Sequence, residues 1–303
     1  MLTSPLPVAR GYSRGVPESD SRLLDTAEWT ARDLAHQERA DAFSEQRRIR
    51  AGSGQSHPVD DFLFTYYPFR PGLLRRWHPG AGVLLQGAAS LERASWKWYR
   101  TEGADVAVDK AAFVAAKGAS IRFIVSLLSQ TALRPANFGC FGLHEWAMVY
   151  RQDEHRHVAP LRLGQGDTDQ VVEANRITCS HFDAFRFFTP DALPRNELQP
   201  SRENQLALEQ PGCLHAGMDV YKWVIKLGPL MPGEVLLDAF ELARDIRRLD
   251  MQASPYDLGD WGYVPVPVET PAGKAEYVRR QKQFSVRSTA LRERVVSLVS
   301  LVT

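Results

Sequence analysis

Three short stretches of this chain set a cysteine beside a histidine: Cys140-Phe-Gly-Leu-His144, Cys179-Ser-His181-Phe-Asp183 and Cys213-Leu-His215-Ala-Gly-Met-Asp219. Together they use all three cysteines. If residues 177–182 are extended, a period of two puts Cys179, His181 and Asp183 on one face; if the segment after Cys213 is helical, His215, Asp219 and Lys222 share one stripe. Three separated segments therefore have the means to converge on one polar pocket. One use for them is a buried polar pocket of an enzyme-like kind, whose reaction the residue types do not by themselves name. Another makes His144, His181 and His215 metal ligands, with Asp183, Asp219 or Glu145 completing the shell; three imidazoles suit zinc or non-haem iron. The plain alternative is that the cysteines are small buried hydrophobes and the histidines hydrogen-bonded core residues.

The elements that must position these residues belong to an ordinary globular chain. It has 303 residues, 44% hydrophobic and 24% charged, which is enough to bury a real core. Lys plus Arg total 37 against 36 Asp plus Glu, and the net charge of +1 excludes a global field that draws the protein to DNA or an anionic membrane. Any nucleic-acid binding must use a local patch. Three cysteines without Cys-x-x-Cys spacing are expected to be reduced thiols of the cytoplasm. No apolar run approaching the roughly 20 residues of a bilayer crossing is read, nor a signal peptide, so a cytoplasmic protein with no membrane partner is expected. The chain lacks a Walker loop, Gly-x-Gly-x-x-Gly and His-Glu-x-x-His, which lowers the weight of nucleotide-cofactor enzymes and the common zinc peptidases.

The pattern predicts an α+β, largely helical single compact domain over 24–303, with a small sheet, after a flexible N-terminal extension at 1–23. Asp25 and Glu28 have capping-box spacing for a helix over about 26–50. A buried run at 60–67 and a loop at 70–80 follow. Short strands are expected near 82–108, with Trp96 and Trp98 on the same side. Asp109 caps a helix to Ala116, Gly118 breaks it, and a second helix runs from Ser120 to Leu133. His155 and His157 fall in a solvated loop, and 158–163 reads as a strand before a turn at Gly164. A short helix begins at Ser201–Glu203. Further helices are expected over 215–227, over 233–251, and from Thr270-Pro271 towards Val302. Asp238, Glu241 and Asp245 on the second of these read as a salt-bridged face with Arg244 and Arg248. The last carries seven Lys or Arg against two Glu, a local excess of +5.

The strings FGCFGLHEWAMVYR, CSHFDAFRFFTP, QPGCLHAGMDVYKW and ELARDIRRLDMQASPYDLGDWGY resemble a family of actinobacterial proteins that carries the name 3-methyladenine DNA glycosylase. The likeness covers nearly all of the chain from HPVDDFLFTYY onward, although no helix-hairpin-helix is legible. The resemblance implies DNA repair by hydrolysis of the N-glycosidic bond of an alkylated purine, with damaged DNA as partner, no cofactor and no protein partner. Such an enzyme flips the base into a pocket, stacks it between aromatic walls and sets a carboxylate against the sugar. On that reading Trp146, Phe182, Phe185, Phe187, Tyr221 and Trp223 form walls, with His144 and Glu145 in the same pocket. Asp183 is the expected catalytic carboxylate and Asp219 its competitor, with His181 and His215 as neighbours and Lys222 inviting a Schiff-base role. Arg70, Arg75 and Arg76 in one loop, and Arg279, Arg280 and Lys282 on the last helix, would grip the DNA backbone. The competing expectations are a zinc or non-haem iron enzyme acting on a small molecule, and a non-catalytic binding protein.

Overall fold

Asp25, Asp109 and Thr270 start the three longest helices, each accepting a hydrogen bond from the backbone N–H three residues on: Glu28 at 2.8 Å, Ala112 at 2.9 Å and Gly273 at 3.1 Å. Each cap satisfies a donor that the first turn leaves without a partner. Glu28 does not close a capping box; its carboxylate meets Arg22 at 2.7 Å instead. The computed structural model of the chain describes residues 21–155 and 158–301. In order, β1 (Arg22–Leu24), α1 (Thr26–Gly52), α2 (Phe62–Tyr66), α3 (Pro71–Leu74), β2 (Val83–Leu85), β3 (Tyr99–Glu102), β4 (Asp105–Val108) and α4 (Lys110–Leu133) form the first part. They are followed by α5 (Leu143–Ala147), α6 (Gly164–Ala174), α7 (Phe182–Phe185), α8 (Gln205–Leu208), α9 (Leu214–Leu227), α10 (Gly233–Gln252) and α11 (Pro271–Ser300). The fold is α+β and largely helical, one compact domain with 58% of the described residues in helix.

The sheet has the order β1-β2-β4-β3, with β1 parallel to β2 and the other pairs antiparallel. Leu24, Leu85 and Val106 from its strands bury Trp29 and Trp77 in a small core of their own. The main core surrounds α9, which packs on α10, α11 and α4 and is buried on nearly every side. Gly228 and Pro229 end α9, and α10 leaves at once to lie along it.

Several local expectations give way to packing. Gly118 does not break α4, because Ile121, Ile124, Leu127 and Leu128 bury one continuous side against the core. A helical glycine costs only about 1 kcal/mol, which that burial outweighs. The same helix is the one, among the described residues, long and apolar enough to cross a membrane, a run that the sequence reading did not see as such. Residues 158–163 supply a single bridge, Leu161 to Tyr256, rather than a strand, and the expected turn at Gly164 opens α6. Residues 71–74, expected as loop, form α3, and the helix expected from Ser201 begins only at Gln205. Trp98 has φ 71°, which breaks the strand alternation: it packs on Phe113, while Trp96 joins His78 and Tyr99. Arg22 and Leu23 belong to β1, not to the extension; its residues 1–20, His157 and Val302 lie outside the described residues.

At Gly233 an added Cβ would lie 2.6 Å from Trp77 Cδ1 and 2.8 Å from His36 Nδ1, both on buried rings held by hydrogen bonds to Glu234 and to the Leu74 carbonyl. Gly233→Ala is therefore expected to lose about 1–3 kcal/mol of stability to overpacking, despite the better helix propensity of alanine. Chemical denaturation measures it, and an unchanged midpoint would contradict the close approach.

Candidate active site

The helix α5 is launched by two left-handed residues, Phe141 (φ 49°) and Gly142 (φ 74°). Gly142 is also short of space, since a Cβ there would stand 3.2 Å from the Tyr277 ring. That turn aims His144 and Glu145 at α10. His144 Nε2 meets Asp250 Oδ1 at 2.8 Å, while its Nδ1 faces Cys140 Sγ at 3.6 Å. One turn earlier on α10, Arg247 donates through Nη1 to Glu145 Oε1 at 3.0 Å and to Asp250 Oδ2 at 3.3 Å. From α9, His215 brings its ring edge-on to His144, 4.5 Å between centroids, with Nε2 3.9 Å from Asp250 Oδ2. His144, Glu145, His215 and Asp250 each offer one ligand atom, and these atoms all lie within 4.8 Å of one another.

Burial sets the protonation states of this cluster and the charges refine them. Burial opposes charge on Asp250, but His144 first and Arg247 after it outweigh it and hold the carboxyl below its usual range. Burial likewise opposes a charged His144, and Asp250 overcomes it and raises the imidazole well above its ordinary value. At His215 burial and the neighbouring His144 outweigh Asp250 and push the imidazole down to about 3, so it is neutral. Arg247 and a protonated His144 thus balance Glu145 and Asp250.

A second buried network adjoins the first through His181, whose ring stacks on His215 at 5.4 Å. His181 Nε2 lies 3.3 Å from Asp219 and 3.6 Å from Glu209. Tyr67 donates its hydroxyl to Asp219 at 2.7 Å, and Lys222 bridges Asp219 at 2.8 Å and Asp183 at 2.6 Å. Asp183 also receives Arg202 at 2.8 Å and Arg186 at 3.3 Å. Burial works against charge on both Asp219 and Lys222; the ion pairs prevail, lowering the carboxyl and raising the amine. A lysine held as ammonium is not a nucleophile, so the Schiff-base role read for Lys222 is not supported by its surroundings. Both oxygens of Asp183 are taken by cations.

Between the two networks lies a pocket of about 70 Å³. Glu145, His215, Arg247 and Asp183 supply its polar lining. Phe62, Tyr66, Met148, Phe187, Met218 and Tyr256 supply the apolar walls.

Most of the residues singled out in the sequence meet here, though not in the expected roles. The stripe of His215, Asp219 and Lys222 on α9 is real, and His144 and Glu145 join it from α5. Asp183 lies on α7 and not on an extended segment, yet it still reaches Lys222. His181 stands beside Asp219 and Glu209, outside the group of converging ligand atoms. Among the expected walls only Phe187 lines the pocket. Trp146 is fully buried with its indole bonded to the Ala253 carbonyl; Phe185, Tyr221 and Trp223 belong to the core, and Phe182 lies under Arg202. Burial raises the thiols of Cys179 and Cys213, the latter to about 12, so both act as packing groups.

Asp250, Arg247, Tyr67 and Glu209 were not anticipated. For the first two a signal existed: Asp250 follows Ile246 by four residues and Arg247 follows Ala243 by four, so both fall in register with the buried stripe of α10. The basic residues proposed for DNA line none of this pocket. Arg75 pairs with Asp41, Arg76 stacks on Trp96, and Arg279 pairs with Glu276. Arg280 bonds Gln252, Lys282 lies over Phe138, and Arg70 is exposed. On the same helix Arg287 and Arg294 are taken by Asp245 and Asp238 of α10; of the partners expected within α10, Arg244 meets Glu241 and Asp245, while Arg248 turns to Asp60. Comparison with family models, with curated proteins and with solved structures returned no match.

Lys222 is the shared counter-ion of two buried carboxylates, so Lys222→Met is expected to destabilise the protein by about 3–5 kcal/mol. Arg202, 52% exposed, should cost less than about 1 kcal/mol as Arg202→Ala. Paired urea titrations compare the two; equal losses would mean that Lys222 is not the keystone of this network.

Proposed function

We propose that the chain is a metal-dependent enzyme acting on a small molecule, with His144, His215, Asp250 and Glu145 as the ligands. The observation that carries this reading is the convergence of two imidazoles and two carboxylates at the edge of an apolar pocket. That donor set suits a divalent first-row metal such as zinc or iron. His215 is already neutral, as a ligand must be, and His144 would exchange its proton for the metal. Cys140 at His144 Nδ1 and Arg247 at both carboxylates are the outer contacts that orient ligands. When bound, the metal supplies a Lewis acid or an activated water. The chain's own part is to hold the ligands, to brace Glu145 and Asp250 through Arg247, and to keep bulk water away with Phe62, Tyr66 and Tyr256.

The purified protein is expected to hold one equivalent of zinc or iron by elemental analysis, and His144→Ala, His215→Ala and Asp250→Ala to lose it. His181→Ala should retain it, which separates this ligand set from the three-histidine set read in the sequence. A folded, active protein that takes up no transition metal would end this reading.

The second reading is the DNA glycosylase that the sequence resembles. It is favoured by the aromatic sides of the pocket, Phe62, Tyr66, Phe187 and Tyr256, which suit stacking of a flipped base, with Asp183 and Glu145 beside them. On this reading Asp183→Asn, assayed as folded protein, abolishes release of 3-methyladenine from alkylated DNA. Full activity in that variant would remove Asp183 from the chemistry.

A further inference from the structure

Metal ligation leaves one feature of the pocket unused. Arg247 lines it and is 2% exposed, and only its Nη1 has acceptors, Glu145 and Asp250. Nε and Nη2 have no hydrogen-bond partner. The guanidinium is held in place, because its Cζ lies 3.9 Å from the centroid of the Phe62 ring while the carboxylates pin Nη1. In a planar guanidinium the Nε–H and Nη2–H bonds run side by side along the edge opposite Nη1. That edge accepts the two oxygens of one carboxylate in a bidentate pair. A buried N–H without an acceptor is costly to a fold, and two on one edge of one side chain call for one ligand.

The surroundings narrow its nature. Asp183, on the same pocket, carries three cations, Lys222, Arg186 and Arg202, so its own charge is compensated and does not repel a further anion. The remaining walls, Phe62, Tyr66, Met148, Phe187 and Met218, offer an apolar body its contacts. A phosphate would bring oxygens beyond the two that the edge can serve, with aromatic and methionine side chains facing the rest. The volume of about 70 Å³ limits the enclosed part to a few heavy atoms.

We propose that Arg247 is the carboxylate receptor of this pocket and that the substrate is a small carboxylic acid with a short apolar body, seated on the Nε/Nη2 edge. The inference rests on reading the pocket as the active site of a metal-dependent enzyme.

Calorimetric titration of the whole protein, stripped of metal by chelation, tests it with butyrate, its neutral analogue butyramide, and inorganic phosphate. Butyrate is expected to bind about tenfold or more tightly than either of the others, and Arg247→Lys, which keeps the charge and loses the edge, to weaken butyrate about tenfold. Equal affinity for butyrate and butyramide, preference for phosphate, or no butyrate binding overturns the proposal. If Arg247→Lys does not fold, the butyrate-to-butyramide ratio on the unaltered protein decides. A chain that binds butyrate but takes up no metal would refute the metal reading alone; one that holds metal and ignores butyrate would refute this inference alone.

Discussion

A fully buried carboxylate, Asp250, needs cations, and the fold delivers them from several elements at once: His144 from α5 and Arg247 from its own helix, with His215 from α9 facing the same group. An ion taken out of water costs several kcal/mol unless charge and hydrogen bonds compensate it. The position of α5 against α10 is therefore set as much by this compensation as by apolar contact. The left-handed turn at Phe141–Gly142 follows from the same demand, because it is what turns His144 and Glu145 towards α10.

The second network repeats this logic one layer out. Lys222 sits between Asp183 and Asp219, Tyr67 closes on Asp219 from beyond α2, and His181 touches the first network by stacking on His215. The pocket lies between the two networks, walled by α2, α7 and α9. Its polar groups are thus fixed by neighbours rather than by a ligand. Such preorganisation is what a site needs if charge is to be stabilised without rearrangement.

The surface follows a different rule. Two of the basic residues of α11, Arg287 and Arg294, are neutralised on the acidic stripe of α10, Arg279 is paired within its own helix, and Arg292 is buried against the Ala216 carbonyl. A count of charges along a helix overstates the field outside it when a neighbouring helix carries the complement.

Much of the local structure was written in the chain. Asp25, Asp109 and Thr270 mark helix starts because a side-chain oxygen three residues from an unpaired N–H is a local event. The stripe of His215, Asp219 and Lys222 follows from helical period alone, and so do the pairs of Arg244 with Glu241 and Asp245, whereas the partners from α11 do not. The Cys-His stretches do converge, but no local period reveals which partner each histidine meets. Asp250 and Arg247 lie far from His144 in sequence and look like two more charges on a helix until α5 is packed against them. Which aromatics line a cavity and which fill the core was likewise undecidable: Trp146 and Tyr221 are as aromatic as Phe62 and Tyr256, and only the packing of α2 and of the segment after α10 places the latter pair at the pocket. Composition and period act over one or two turns; a site assembled from five helices is decided by the packing that brings them together.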